Sequence, residues 1–189
     1  MDSNIQNHTG LSKEEDKIHS KHWVILIIVL LAAFMNLIDA SIVGVAIPVI
    51  QKDLNITFSV MQWVLAAYSL AFALLLITGG RLGDIFGRKR VFILGVSGFT
   101  IASVLCGISQ NSAILIGARA LQGSMAAIMV PQVLSIIQVT FPPKQRGAAF
   151  GMYGGIAGLA TVIGPLIGAL ITQGNFFGLQ WRPLFLINL

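Results

Sequence analysis

Two charged residues stand inside long apolar stretches and are the first candidates for chemistry in this sequence. Asp39 lies in a run that carries no other charge from Trp23 to Ile50, and Arg119 is the single charged residue between positions 91 and 143. A carboxylate can take up and release a proton, whereas a guanidinium stays charged. A site that contains both groups could bind an ion or exchange protons.

The composition indicates the surroundings in which these two residues must work. The chain has 189 residues, of which 56% are hydrophobic and only 10% are charged, and its mean hydropathy is +0.85. A soluble domain carries about 25% charged residues. With so few charged residues the protein cannot cover its surface with polar groups in water. We therefore expect the hydrocarbon of a bilayer to be its solvent.

The spacing of the charges predicts an all-α integral membrane protein. A helix needs about 20 mainly apolar residues to cross a bilayer. The apolar runs predict five complete transmembrane helices and the start of a sixth, preceded by a polar tail at 1–22. A signal peptide is excluded because its apolar part is short and directly follows a basic start. The predicted spans are 23–47, 60–80, 91–108, 113–138, 147–172 and, incomplete, 183–189.

The basic residues predict the orientation. Lys and Arg concentrate in cytoplasmic loops, and here nine lie on one side of the predicted spans and two, Lys52 and Arg182, on the other. The tail and the two richer loops are therefore expected in the cytoplasm of a multi-pass cell-membrane protein. These loops account for the net charge of +5, so no nucleic-acid partner is predicted. The nine are Lys13, Lys17, Lys21, Arg81, Arg88, Lys89, Arg90, Lys144 and Arg146.

Asp39 and Arg119 are expected to share a cavity. A charge at a helix centre costs about 2.5–3.5 kcal/mol on insertion scales, and intramembrane acids usually mark ion or substrate sites. At a rise of about 1.5 Å per residue, both lie in the outer half of the membrane. Gln122 and Gly123 extend the small, polar face beside Arg119. Two alternatives remain: Asp39 caps or kinks its helix near Pro48, or Arg119 extends to the outer interface.

The stretch "GGRLGDIFGRKR" at 79–90 combines glycines with charge at the inner surface. Its glycines permit close helix approach and a tight reversal. Asp84 lies one helical turn from Arg88, within reach of an ion pair. A solvated loop would explain the cations but neither the glycine spacing nor the acid.

The fifth span carries a stripe of glycines with Pro165 inside the helix. Small residues three and four positions apart let two membrane helices pack closely, and an internal proline removes one backbone hydrogen bond and bends the helix. Taken alone, the stripe predicts helix packing. Its members are Gly147, Gly151, Gly154, Gly155, Gly158, Gly164 and Gly168.

Common signatures of enzymes and metal sites do not occur in the sequence. It has no P-loop for ATP, no nucleophile elbow and no HExxH zinc helix. His19 and His22 lie one turn apart in a basic tail, where a solvated role is favoured over metal binding. We therefore expect neither an enzyme nor a bound metal.

Three motifs together resemble the major facilitator superfamily from about residue 22 onwards. "GRLGDIFGRKR" resembles the signature loop between its second and third helices through Gly80, Leu82, Asp84, Gly87, Arg88 and Lys89. "LIGARALQGSMAA" resembles the fourth-helix motif through Arg119, Gln122 and Gly123, with Met125 in place of a glycine. "GMYGGIAGLATVIGPLIGA" resembles the fifth-helix antiporter motif through Gly151, Gly164, Pro165 and Gly168, with Ala160 and Ala169 where glycine is typical.

Two further stretches resemble the fourteen-helix drug:proton antiporters within that superfamily. "IDASIVGVAIP" matches their first-helix motif at Asp39, Ala46 and Pro48, with Gly44 in place of a frequent asparagine. "WRPLFLIN" resembles the beginning of their sixth helix, although Pro183 departs from it. The resemblance implies the N-terminal half of the superfamily fold, with the first and fourth helices lining a cavity.

The resemblance also implies roles for these residues. Asp39 and Arg119, with Gln122, would serve proton coupling or recognition of a cationic drug, and Arg119 would hold the acid ionised or change its proton affinity. Asp84 and Arg88 would latch the cytoplasmic side. The fifth-helix motif would govern antiport at the interface between two halves. The implied function is proton-coupled export of small molecules, driven by the proton gradient without a cofactor.

Two alternatives to drug export stay open. A carrier of another solute, such as a sugar, metabolite or siderophore, would share the motifs. The second alternative is a membrane fragment without transport activity, since superfamily carriers need two six-helix halves and this sequence supplies less than one. Transport is therefore expected to need further C-terminal helices or a partner half.

Overall fold

Helices make up nearly all of the part of the chain that the structure describes. The computed structural model describes the backbone of residues 2–174 and 179–189 and the side chains of residues 22–174 and 179–189. Five helices are long and apolar enough to cross a membrane, and a single helical turn begins a sixth element, so the all-helical prediction is confirmed. The helices are α1 (Asp2–Leu54), α2 (Phe58–Phe86), α3 (Arg88–Gly107), α4 (Ser112–Thr140), α5 (Pro143–Gly174) and α6 (Pro183–Leu186).

The described helices extend beyond the predicted spans. The apolar part of α1 runs from His22 to Leu54, and its helical backbone continues back to Asp2, through the segment predicted as a polar tail. The side chains of the tail before residue 22 lie outside the described residues. The five complete spans are longer than predicted because the turns that join the helices take up only a few residues, whereas α6 (Pro183–Leu186) is shorter than the predicted 183–189.

Local chemistry explains where the helices begin and end. The Asn111 side chain accepts a hydrogen bond from the Ile114 amide at 2.9 Å and caps the start of α4, as expected for an N-cap residue. Thr57 caps α2 in the same way through Val60 at 3.4 Å. Gly87 separates α2 from α3 with φ +92°, a conformation that glycine adopts without the cost that a side chain would add.

Helix α4 packs tightly against α2 at two glycines. A Cβ on Gly79 of α2 would overlap the backbone carbonyl of Ala127, and a Cβ on Gly123 of α4 would overlap the backbone of Tyr68. Gly95 of α3 faces the backbone of α4 at Met129 in a comparable way. Small residues therefore bring α2, α3 and α4 together, as expected in a membrane, where apolar side chains gain little by leaving lipid.

Helix α5 packs against α1 through one end of its glycine stripe. A Cβ on Gly164 would meet Ser41, and one on Gly168 would lie 3.0 Å from Ile42. Ser41 also donates a hydrogen bond to the Ala160 carbonyl at 3.2 Å. The other five glycines of the stripe have no described atom within 4 Å of the position of a Cβ. Within the described chain, the expected packing is therefore found at Gly164 and Gly168 only.

An ion pair between α1 and the residues just before α6 holds α6 in place. Asp53, near the end of α1, accepts hydrogen bonds from Trp181 Nε1 and Arg182 Nη1, each at 2.9 Å. Arg182 also donates to the Ser109 carbonyl between α3 and α4 at 3.3 Å. The residues just before α6 are thus tied to both α1 and the α3–α4 turn, which fixes the depth at which the sixth element enters.

We predict that Gly123→Ala destabilises the fold and that Gly117→Ala, six residues earlier in α4, does not. A methyl group at 123 would meet the α2 backbone, and overpacking of this kind costs about 1–3 kcal/mol. A methyl group at 117 meets nothing within 4 Å, and alanine favours a helix over glycine by about 1 kcal/mol. Thermal unfolding in detergent measures both. Equal changes in Tm would contradict the close approach of α2 and α4.

Candidate functional site

Asp39 and Arg119 form a buried ion pair between α1 and α4. Arg119 Nη1 lies 2.6 Å from Asp39 Oδ2. The exposed fraction of the Asp39 side chain is 0% and that of Arg119 is 2%. The structure therefore brings together the two residues that the sequence analysis singled out, and it contradicts an Arg119 that extends to the outer interface.

Helical periodicity places each residue on the inner face of its helix. In α1, Ile42, Val43 and Ala46 follow Asp39 and are buried with it. In α4, Gln122 and Ala126 follow Arg119 at spacings of three and seven and are fully buried. Residues at these spacings share one helix face, so each charge points into the bundle and away from lipid. The alternative that Asp39 merely caps or kinks its helix does not account for this arrangement.

Two side-chain amides complete the surroundings of the Asp39 carboxylate. Gln122 Nε2 donates to Asp39 Oδ1 at 2.8 Å, and Asn188 Nδ2 donates to the same oxygen at 2.9 Å. Both amides also donate to Ser103 Oγ of α3, at 2.7 and 3.0 Å. Gln122 Oε1 accepts from Arg119 Nη1 at 2.6 Å. We call these five residues, Asp39, Ser103, Arg119, Gln122 and Asn188, the carboxylate network.

Aromatic rings enclose the guanidinium of the network. The Arg119 guanidinium carbon lies 4.3 Å from the centre of the Tyr68 ring and 5.8 Å from that of Phe185. Such cation–π contacts stabilise a cation away from water. The Tyr68 hydroxyl donates to Asn36 Oδ1 at 2.6 Å, so α2 is also linked to α1. Arg119 Nε is the one buried side-chain nitrogen or oxygen of the described residues that has no hydrogen-bond partner.

The hydrogen bonds of the network match an ionised carboxylate. An ionised aspartate only accepts hydrogen bonds, and Asp39 receives three N–H groups while the structure shows it donating none. Oδ1 already accepts two N–H groups, so a proton could bind there only if one of them turned away, whereas Oδ2 accepts one N–H group. Because Asp39 is fully buried, proton exchange would also require this site to open.

The predicted inner-surface loop contacts α4. Arg88 Nη2 lies 3.5 Å from Asp84 Oδ1, and Arg88 Nη1 donates to the Ser135 carbonyl near the C-terminal end of α4 at 3.5 Å. Asp84 and Lys89 are exposed. Gly80 lies against Pro131 at an ordinary van der Waals distance, and Gly87 forms the turn already described. The loop is thus anchored on α4, away from the carboxylate network.

Gln132 of α4 strengthens this inner contact and was not anticipated from the sequence. Its Nε2 donates to the Gly79 carbonyl of α2 at 2.8 Å. Its side chain occupies the space that a Cβ on Gly83 would need. The glycines of the loop therefore serve the α2–α4 contact, in addition to the reversal at Gly87.

The residues of the fifth-helix motif lie in two different surroundings. Gly164 and Gly168 contact α1 at Ser41 and Ile42, two and three residues beyond Asp39. Pro165 lies between them inside α5. Gly151 is exposed and has no described atom near the position of a Cβ. The motif therefore touches the helix that carries the carboxylate at one end only.

Sequence reasoning missed three polar members of this region. Ser103, Asn188 and Asn36 are buried polar residues inside apolar spans, and that property was a signal in the sequence. Asn36 lies one turn before Asp39, and Asn188 ends the "WRPLFLIN" stretch. The spacing of residues within one helix could not predict that these side chains contact residues of other helices, because the contacts join positions up to 149 residues apart.

The described residues do not form a metal site. No group of three or more His, Cys, Asp or Glu side chains among them could hold a metal ion. Fold and site together define a polytopic membrane protein with an ion pair inside its transmembrane bundle. Such a site is typical of proteins that move ions or solutes across the bilayer.

The chain belongs to the Major Facilitator Superfamily, whose family model matches residues 29–189. It is 46% identical over 171 residues to the "Probable actinorhodin transporter" of Streptomyces coelicolor, a match that covers 90% of this chain and 30% of the relative. It is 38% identical to the "Tetracenomycin C resistance and export protein" of Streptomyces glaucescens, covering 90% of this chain and 31% of the relative.

A third relative and a solved structure extend the comparison. The "Riboflavin transporter RibZ" of Clostridioides difficile is 38% identical, with 88% of this chain and 36% of the relative covered. The inward-facing, unoccupied structure of a bacterial homologue of the human lysosomal transporter Spinster superposes with a TM-score of 0.77 at 25% identity. That match covers 88% of this chain and 40% of the other. The chain thus spans about a third of the length of these curated relatives.

We predict that removing either charge of the buried pair destabilises the fold more than removing both. Loss of one partner leaves an uncompensated buried charge, which costs about 3–5 kcal/mol. Thermal unfolding in detergent should therefore show a lower Tm for Arg119→Leu and for Asp39→Leu than for the double variant. Asp84→Asn is the control: Asp84 is 65% exposed, and a surface pair contributes about 0–1 kcal/mol. Additive losses in the double variant would contradict a coupled buried pair.

Proposed function

We propose that this chain forms the N-terminal helix bundle of a proton-coupled antiporter that exports drugs or other cationic, amphipathic small molecules. The observation that carries the proposal is Asp39, a fully buried acid inside the membrane that is paired with Arg119. An acid that costs several kcal/mol to insert is retained where its charge has a function. The relative named as a tetracenomycin C resistance and export protein supports the export direction.

Competition for Asp39 links the proton and the substrate in this mechanism. In the closed network, Arg119 and two amides satisfy the carboxylate. When the site opens, either a proton or a cationic substrate can take the place of part of that network. Because both bind one carboxylate, arrival of a proton from outside favours release of the cation there. Arg119 keeps the aromatic contacts with Tyr68 and Phe185 while its partner is neutralised.

We further propose that the Asp84–Arg88 loop latches the cytoplasmic side. Arg88 joins the α2–α3 turn to the Ser135 carbonyl at the inner end of α4, and Gln132 joins α4 to α2. The Gln132–Gly79 contact is buried. The contacts of Arg88 with Asp84 and Ser135 are exposed or half-buried, so each stabilises one conformation only weakly. A latch that must open during every transport cycle needs contacts of this strength. Gly80, Gly87 and Lys89 belong to the same loop.

The open face of α5 supports a missing partner bundle. Gly151, Gly154, Gly155 and Gly158 leave room for close helix approach but have no described neighbour. Small residues on one helix face are typical of membrane helix interfaces. In the proposal this face packs against a second bundle, provided by further C-terminal helices or by a partner half, and the tail and basic loops lie in the cytoplasm of a cell-membrane protein.

A specific observation favours a second candidate function, the transport of another solute. One relative is named a riboflavin transporter, and riboflavin is not a cation. The buried ion pair would then couple protons to movement of a neutral or anionic cargo, with Arg119 Nε available as an additional donor. Efflux assays with a lipophilic cation and with a flavin separate the two candidates.

We predict that Asp39→Asn in the complete carrier abolishes the dependence of dye efflux on the proton gradient. Asparagine has nearly the same size as aspartate but cannot take up a proton, so gradient-driven efflux of ethidium should fall at least about tenfold, the change produced by roughly 1.4 kcal/mol. Asp39→Glu is the matched variant because it keeps a protonatable acid, and it should retain part of the coupling.

Undiminished gradient dependence in Asp39→Asn would overturn the role of Asp39. Efflux is measured in proteoliposomes with an imposed pH gradient, and protein levels are matched by immunoblot. Equal loss in the Asn and Glu variants would point to folding rather than to proton exchange.

We also predict that the native polypeptide is longer than this chain. An antibody against residues 2–20 should detect a band in cell membranes well above the 20.2 kDa calculated for the chain. Such a band supports a complete carrier. A band at 20.2 kDa would favour the third possibility, a membrane fragment without transport activity of its own.

A further inference from the structure

Asn188 occupies an unusual position in the carboxylate network. Among the described residues that follow α5, it is the single one that hydrogen-bonds to Asp39, and it lies two residues beyond the end of α6. It is 4% exposed. We infer that Asn188 is a positioning residue that senses the protonation state of Asp39 by rotating its amide. This inference rests on the proposed proton coupling at Asp39.

Four polar atoms of the network form a closed ring. Gln122 Nε2 and Asn188 Nδ2 each donate to both Asp39 Oδ1 and Ser103 Oγ, at distances between 2.7 and 3.0 Å. An amide nitrogen has two hydrogens, so both nitrogens are fully used. The ring therefore has donors at two corners and acceptors at the other two. A proton on Asp39 Oδ1 would turn one acceptor into a donor that faces two donors.

Only one of the two amides can turn to accept that proton without losing another partner. Gln122 Oε1 already accepts from Arg119 Nη1 at 2.6 Å and from Cys106 Sγ at 3.7 Å. Rotation of this amide would place its NH₂ group next to the guanidinium, and two hydrogen-bond donors would then face each other. The oxygen of Asn188, in contrast, makes no hydrogen bond to a described residue. Asn188 can therefore rotate by half a turn without breaking a bond to its oxygen.

The rotated arrangement gives the new O–H group an acceptor and moves the Asn188 NH₂ group to the position that its oxygen held, which is not among the fully buried positions without a partner. The new O–H bond on Asp39 Oδ1 donates to Asn188 Oδ1, and the Ser103 hydroxyl can donate to the same oxygen. Gln122 keeps its bonds to Arg119 and Ser103. One proton is taken up and no other covalent bond forms or breaks. An unsatisfied buried polar group costs about 1–3 kcal/mol. The rotation removes that cost at the new O–H group, while the two N–H groups of Asn188 give up Asp39 and Ser103 as acceptors.

Few other ionisable groups face the ring. Arg119 contacts the other carboxylate oxygen of Asp39, the Tyr68 hydroxyl is directed to Asn36, and the Cys106 thiol is directed to Gln122. Of the remaining elements in contact, α5 and the sixth element offer no ionisable side chain to the ring among the described residues. The protonation event to which Asn188 responds is therefore that of Asp39.

The position of Asn188 gives its rotation a path to the outer surface. The sixth element is held at its beginning by Trp181 and Arg182 on Asp53 and seven residues later by Asn188 on Asp39. A change in the bond at Asn188 alters one of these two attachments. Protonation of the acid can thus act on the whole segment from 181 to 188.

Infrared difference spectroscopy of the chain in lipid tests the inference without a transport assay. The chain is prepared with ordinary or with side-chain-labelled (¹³C=O) asparagine, and spectra are compared across a pH step. The expected result is a protonated-carboxyl band that is absent in Asp39→Asn, together with a shifted asparagine amide C=O band that is absent in Asn188→Leu. Leu184→Val, a buried packing change on the same turn, should leave both bands in place.

A carboxyl band without an accompanying Asn188 band would overturn this inference while leaving the proposed coupling at Asp39 intact. Absence of the carboxyl band over the whole accessible pH range would overturn both. In the complete carrier, Asn188→Leu should lower gradient-driven ethidium efflux by about tenfold, the effect of losing one hydrogen bond to a charged group, and Asn188→Gln should restore part of it. Unchanged efflux in Asn188→Leu would also contradict the inference.

Discussion

The burial of one carboxylate in the middle of a membrane bundle is the constraint on which the rest of this structure depends. Asp39 is fully buried, and an isolated buried charge is far too costly to persist. Its cost is offset by three N–H groups, from α4 and from the residues that follow α6, and by a guanidinium that is itself enclosed by aromatic rings. Each of these partners must be held at hydrogen-bonding distance, and the packing of the helices can be understood from that requirement.

The glycines of the bundle meet that requirement by letting backbones approach closely. Gly123 and Gly79 bring α2 against α4 one and two helical turns beyond Arg119, and Gly164 and Gly168 bring α5 against α1 next to Asp39. The ion pair between Asp53 and Arg182 then ties the residues before α6 to α1, so that Asn188 reaches the carboxylate. The network is therefore assembled by helices that are distant in sequence and adjacent in the bilayer.

Much of this architecture was predictable, because a bilayer restricts the possible structures. Charge spacing alone predicted five spans and a sixth beginning, and the depths of Asp39 and Arg119 predicted that they could meet. The amide partners could not be predicted, since nothing in the local sequence indicates that Asn188 lies beside residues of α1 and α3. The glycine stripe of α5 was only partly informative: Gly164 and Gly168 contact α1, whereas Gly151 faces no described neighbour, and the sequence pattern is the same for both. Helix identity follows from local hydropathy, whereas the choice of neighbours depends on tertiary packing.

Proton release on substrate binding tests the central claim, that a proton and a cation compete for Asp39. The complete carrier in weakly buffered detergent solution is mixed with tetraphenylphosphonium, and a pH-indicator dye follows the protons set free at a pH where the carrier is partly protonated. The account predicts release by the wild type and none by Asp39→Asn, with binding of the cation measured separately in both. Undiminished release from Asp39→Asn, or binding by the wild type without release at any pH, would contradict it.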